Sequence, residues 1–227
     1  LMSAAMRCDA DPEIRVVLLQ GAGPIFCGGG DVKEFADAAD ELPRLVKDIT
    51  AHLHVAMSYF MRMEQPVIAA VHGSAAGAGL SLVCACDLVL SEESARFTMA
   101  YTKLGLTPDG GVTYTLPRIV GLKRTLELAL TNRVLSAREA LEWSIVTRLT
   151  AKEDLIPEGR QLAHQLAQGA SIAFGATKRL IHNSFSESFE SQMKHESRGI
   201  SETAGTADSR EGISAFLDKR SPQFEGR

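Results

Sequence analysis

The sequence predicts a mixed α/β fold with parallel crossovers, and three observations carry that prediction. Two short apolar runs, Val16-Val17-Leu18-Leu19 and Val67-Ile68-Ala69-Ala70-Val71, have the character of strands covered on both faces. Each is followed by a glycine-rich loop that opens into a helical pattern: Cys27-Gly28-Gly29-Gly30-Asp31 and Gly73-Ser74-Ala75-Ala76-Gly77-Ala78-Gly79. Beyond Pro108 the pattern is almost entirely helical.

In chain order, the first strand is Arg15 to Gln20, ended by Gly21. Asp31, with Glu34 three residues on, has the form of an N-cap and its capping-box partner, so a helix starts there. A longer helix runs from Pro43 to Met63, and Pro66 precedes the second buried strand, Val67 to Val71. Gly73 to Gly79 reads as a small-residue turn into a helix from Ala78 to Cys86. Short strands follow at Asp87 to Ser91 and Ala95 to Thr98. The remaining helices are expected over 110–119, 122–131, 137–143, 158–168, 172–183, 185–203 and 208–218. Capping boxes at Ser136 with Glu139 and at Asp208 with Glu211 mark two of their starts.

Composition narrows the function classes. The 227 residues are 45% hydrophobic and 23% charged, enough for one buried core without a metal or disulfide staple. Lys and Arg number 24 against 28 Asp and Glu, a net charge of -4 with no basic run, which argues against nucleic-acid and membrane-surface binding. Val67 to Leu90, the most apolar stretch, is interrupted by His72, Asp87 and several Gly and Ser, so it reads as core and not as a membrane span. Cys8, Cys27, Cys84 and Cys86 form no C-x-x-C pair, and the six histidines show no H-E-x-x-H, so neither a metal nor a disulfide framework is expected. A reducing cytoplasm suits such a chain. Leu1-Met2 opens with no basic or signal-like segment, as if already inside a helix, so an N-terminal segment is expected to be missing.

Three loops hold the candidate chemistry. In the two glycine loops the side chains are too small to react, and what they offer is backbone N–H at helix starts, suited to a phosphate or a developing oxyanion. Neither matches G-x-G-x-x-G, G-x-x-x-x-G-K-[ST] or the G-x-S-x-G elbow, which removes the nucleotide and serine-hydrolase readings. Glycines that merely permit tight turns are the plain alternative. The third loop is Thr107-Pro108-Asp109-Gly110-Gly111. Asp109 could simply cap the following helix, but it stands among Leu104, Leu106, Val112 and Leu116, and a carboxylate in an apolar wall is a candidate base.

Together the stretches Arg15 to Phe35, Gln65 to Leu82, Lys103 to Gly111 and Glu211 to Arg220 resemble the enoyl-CoA hydratase and isomerase superfamily, the crotonase family, over essentially the whole chain. The resemblance implies a crotonase-like ββα superhelical spiral with a C-terminal helical trimerisation region, divided as a core over 1–135 and helices over 136–227, and assembly as a homotrimer or homohexamer. It implies no permanent cofactor: coenzyme A enters as part of the thioester substrate, whose carbonyl oxygen sits between the N–H groups of Gly30 and Ala78. Coenzyme A is expected along Gly28, Gly30 and the Asp31, Val32, Lys33 stretch, with Phe216 and Lys219 reaching a neighbouring subunit's cofactor. The segment that would cradle its adenine is expected to belong to the missing N-terminal stretch. Acyl-pocket walls are expected from Phe35 to Ile49.

The departures narrow the reaction. Family hydratases use two glutamates, and the matching positions here are Ser81 and Tyr101, neither a carboxylate. Without them general acid and base catalysis worth roughly 10²- to 10⁴-fold is lost. Asp109 matches the acidic position of dienoyl-CoA isomerases and of the ring-epoxide phenylacetyl-CoA isomerase, and one carboxylate suffices to carry a proton between two carbons. Isomerisation of an enoyl thioester is therefore the leading expectation, ahead of hydration and thioester hydrolysis. A non-catalytic acyl-CoA or partner-binding homologue is the alternative of another class.

Overall fold

The apolar run Val67–Val71 is buried throughout between neighbouring strands, whereas Val17–Gln20, expected to be covered on both faces, lies at the sheet edge and is buried only at Val17, with Gln20 exposed. The structure is a computed structural model describing residues 1–227. Strands β1 (Val17–Gln20), β2 (Val67–Val71), β4 (Leu88–Glu92) and β7 (Arg148–Thr150) make one wholly parallel sheet in the order β1-β2-β4-β7. All five residues of β2 are buried, which is why its sequence shows no alternation. A second sheet, in the order β3-β5-β6, is formed by β3 (Ser74–Ala76), β5 (Arg96–Thr98) and β6 (Leu135–Ser136). Cys27 extends it with a parallel bridge to Ala75.

The chain alternates between the sheets and then returns through a helix. β2, β3 and α4 (Ala78–Cys84) are one such turn; β4 and β5 with α5 (Val112–Val120) and α6 (Leu122–Thr131) are the next. Before them stand α1 (Met2–Ala10), α2 (Val32–Ala38) and α3 (Leu42–Arg62). After them come α7 (Ala137–Glu142), α8 (Leu155–Ala167), α9 (Ser171–Asn183), α10 (Phe189–Ala204) and α11 (Ala207–Leu217). The main core gathers Phe60, Met63, Val67, Leu80, Phe97 and Leu116 between the sheets and their helices. A smaller cluster of Ile68, Ala70, Leu90 and Leu155 lies where α8 covers the parallel sheet.

Local signals set most boundaries. Asp31 caps α2 by accepting from the N–H groups of Lys33 and Glu34, and the Ser136 and Glu139 box is complete. The buried Lys178 of α9 pairs with Asp87 at 2.7 Å and donates to the Phe60 and Gln65 carbonyls, tying the helical end to the start of β2. A charge so placed is tolerable because every partner is supplied.

Several expectations need correction. The turn over 73–79 contains strand β3, held by β5 on one side and Cys27 on the other. The helical reading beyond Pro108 misses β6 and β7, whose two and three residues are too few to show a period-2 pattern. β7 completes the parallel sheet beside β4, so the stretch from 136 onward is not purely helical. Helix α8 begins at Leu155 with Pro157 in its first turn, where no intrahelical N–H is needed. Residues 184–186 form a separate turn of 3₁₀ helix ahead of α10. The Asp208 and Glu211 box does not form. Thr206 caps α11, while Asp208, only 3% exposed, accepts from the N–H groups of Glu225 and Gly226 and pins the C-terminal tail.

Candidate functional site

The two glycine loops meet because one of them carries no side chain at the point of contact. A Cβ on Gly79 would lie 2.3 Å from the Cys27 carbonyl oxygen, so only glycine lets α4 start against the first loop. That contact brings together Gly30, just before α2, and Ala78, the first residue of α4. Neither of their N–H groups donates to an acceptor of the chain. Both border one cavity of about 270 Å³, and both are available to an oxygen placed there.

The cavity is mainly apolar. Phe35 of α2 and Val46, Ile49 and Leu53 of α3 line it, with Leu104 and Leu106 from the segment before Asp109. Asp109 is the single acidic side chain among its lining residues. Tyr101 donates to Asp109 Oδ1 at 2.6 Å and lies 2.9 Å from Ser81 Oγ. Ser81, fully buried on α4, donates to the Asp109 carbonyl at 2.9 Å. The next peptide is held as well: the Gly110 N–H donates to His54 Nε2 at 3.1 Å. Gly110 has φ +63°, and a Cβ there would come within 2.9 Å of Ser81 Cβ, so the turn after Asp109 requires glycine.

Burial, and then the hydrogen bond to Asp109, push the Tyr101 phenol well above the ordinary tyrosine range. Tyr101 is therefore a fixed donor at neutral pH and not a base. Burial likewise pushes the Cys84 thiol up to about 12, so it supplies no thiolate.

Of the residues singled out in the sequence, Gly28, Gly30, Val32, Ala78, Tyr101 and Asp109 line this cavity. Ser81 stands behind Tyr101, bonded to it but not lining the cavity. Asp31 spends its carboxylate on the α2 cap, and Lys33 is exposed on that helix, outside the lining. Phe216 and Lys219 lie at the end of α11 and do not border the cavity of their own chain; Phe216 is 83% exposed. Val112 and Leu116, expected around Asp109, belong to the core, while Leu104 and Leu106 do line the cavity. Phe35, Val46 and Ile49 fall within the expected wall; Thr50 and Leu53 extend it along α3, and nothing in their own stretch signalled it, nor did anything signal His54, which lies outside the lining and bonds to Gly110. No group of three or more His, Cys, Asp or Glu side chains is arranged to hold a metal ion.

Comparison with known proteins agrees across sequence and structure. The family model for enoyl-CoA hydratase/isomerase matches residues 1–227. The 1,2-epoxyphenylacetyl-CoA isomerase of Escherichia coli (strain K12) is 38% identical over 229 residues, covering 100% of this chain and 87% of that protein. A "Probable enoyl-CoA hydratase" of Rhodobacter capsulatus is 37% identical over 100% of this chain and 90% of its own. The crystal structure of an enoyl-CoA hydratase from Polaromonas sp. JS666 superposes with a TM-score of 0.94 at 33% identity, covering 99% of this chain and 87% of that one.

Proposed function

Because this chain belongs to the enoyl-CoA hydratase/isomerase family and has its crotonase fold, we propose that it is an enoyl-CoA double-bond isomerase with Asp109 as the proton shuttle. The observation that carries the reading is that one carboxylate, and no second, faces a cavity bordered by the free N–H groups of Gly30 and Ala78. The thioester carbonyl oxygen sits between those two donors, each worth roughly 2.7–4 kcal/mol toward a developing oxyanion. Asp109 removes a proton from C2 of a 3-enoyl thioester as the C–H electron pair delocalises into a dienolate. The protonated Asp109 then returns the proton to C4, leaving the conjugated 2-enoyl thioester and the original carboxylate. No water is consumed, so the positions of the family's two glutamates can be Ser81 and Tyr101 and serve to hold Asp109.

Coenzyme A would arrive with the substrate and run along Gly28 and Val32, which border the cavity, toward Asp31 and Lys33 outside it. Large exposed apolar side chains on the last two helices, Phe189, Ile200, Ile213, Phe216 and Leu217, support assembly into a homotrimer or a dimer of trimers. In that assembly Phe216 and Lys219 would reach a neighbour's coenzyme A. No helix is long and apolar enough to cross a membrane. Four free cysteines fit a reducing cytoplasm. Hydration is the second reading, favoured by the name of the Rhodobacter capsulatus relative.

The test is conversion of a 3-enoyl-CoA, followed by ultraviolet absorbance of the conjugated product, for wild type and Asp109→Asn. Wild-type turnover that falls by about 10²-fold or more in the variant supports the shuttle. Equal turnover in both sinks it, and water addition to a 2-enoyl-CoA in place of isomerisation selects hydration.

A further inference from the structure

Asp109 is held by more than the two side chains at the family's glutamate positions. The Gly110 N–H follows it directly and donates to His54 Nε2 at 3.1 Å. A backbone N–H can only donate, so Nε2 must present its lone pair and the neutral ring carries its proton on Nδ1. His54 lies on α3, one residue beyond Leu53 and within the same helix as Val46 and Ile49, which wall the acyl cavity. The helix that the acyl group packs against is thus the helix that grips the peptide after Asp109. On its far side His54, with Met57, Arg62, Tyr114 and His182, borders a separate chamber of about 460 Å³.

We infer that His54 is a positioning residue for Asp109, fixing the Asp109–Gly110 peptide through its Nε2 lone pair; this rests on the isomerase reading of the site. The side-chain anchors are then Tyr101 on the carboxylate, Ser81 on the Asp109 carbonyl, which also accepts from the Val112 N–H at 3.4 Å, and His54 on the Gly110 N–H, which has no other acceptor. Gly110 has a left-handed conformation, so the peptide has other conformations open to it once its acceptor is gone. Without His54 the loop would keep its place in the chain while the carboxylate lost its aim at the substrate carbon. A displacement of about 1 Å in such a group can cost 10²-fold in rate without weakening substrate binding.

The experiment compares His54→Leu, which removes the acceptor, with His54→Gln, whose Oε1 restores one near the Nε2 position. Both are made in the full chain and assayed on a 3-enoyl-CoA, with binding of a saturated acyl-CoA measured alongside. The expected result is a kcat lowered by about 10²-fold in His54→Leu, with KM and the acyl-CoA Kd unchanged and most of the kcat recovered in His54→Gln. A kcat unchanged in His54→Leu, or lost equally in both variants, or lost together with acyl-CoA binding, overturns the proposal. Should wild type isomerise nothing, the isomerase reading falls and the grip itself is read from the Gly110 amide resonance of 15N-glycine-labelled protein. A resonance shifted in His54→Leu and restored in His54→Gln upholds the grip, and one that does not move removes it.

Discussion

Tyr101 sets the surroundings of Asp109, because its phenol spends its proton on Oδ1 and leaves the carboxylate's second oxygen without that bond. The charge of the carboxylate, added to burial, makes ionisation of the phenol unfavourable, which raises its pKa. A neutral acid whose native pKa is raised stays protonated after its unfolded counterpart has ionised. Stability from this source is therefore complete below the ordinary tyrosine pKa and declines as pH rises above it. Ultraviolet titration of the three tyrosines should show one phenol ionising last, and Tyr101→Phe should abolish that step. Asp109→Asn should shift the step to lower pH, although not to the ordinary value, because burial is the larger cause and persists. A last step that survives in Tyr101→Phe would show that the phenol is not held as described.

Among the elements, the decisive contact is the start of α4 against the first glycine loop. Any side chain at position 79 would push into the Cys27 carbonyl, so α4 would have to back away and carry the Ala78 N–H with it. Gly79→Ala should cost about 1–3 kcal/mol, as overpacking does. It should appear as a lower urea midpoint at unchanged slope, together with a loss of enoyl-CoA turnover out of proportion to stability. An unchanged midpoint would mean that the loops do not depend on each other. Local signals made much of this legible beforehand: apolar runs for β1 and β2, of which only β2 is buried throughout, the caps at Asp31 and Ser136, glycine loops at helix starts, and Asp109 beside Leu104 and Leu106. What the sequence left unread is either very short or long-range. Strands β3, β6 and β7 have too few residues for a pattern. The anchors from Ser81 and His54 to the Asp109–Gly110 turn span 28 and 56 residues, and only the folded chain brings them together. Asp208 misleads for a related reason: its cap-like spacing is real, yet a tail 17 residues onward takes its carboxylate.

For the whole molecule, the helical end poses the remaining physical problem. Phe189 is 73% exposed, Ile200 72%, Phe216 83% and Leu217 74%, on helices that bury little of their surface against the sheets. Apolar side chains so concentrated cost free energy in water, about 25 cal/mol for each Å² left uncovered, and a second copy of the chain is the surface that could cover them. A closed trimer would bury the same face on every copy without leaving an open end. Sedimentation should therefore give three or six times the 24.4 kDa chain. Introducing charge with Phe216→Glu and Leu217→Glu should shift that mass toward the monomer. If Phe216 also reaches a neighbour's coenzyme A, the acyl-CoA Kd should rise in the dissociated variant while Asp109, Tyr101 and Ser81 remain bonded within each chain. Loss of assembly with the acyl-CoA Kd unchanged would separate the two roles and leave the α11 residues structural. A monomeric wild type would require another partner for the exposed helices.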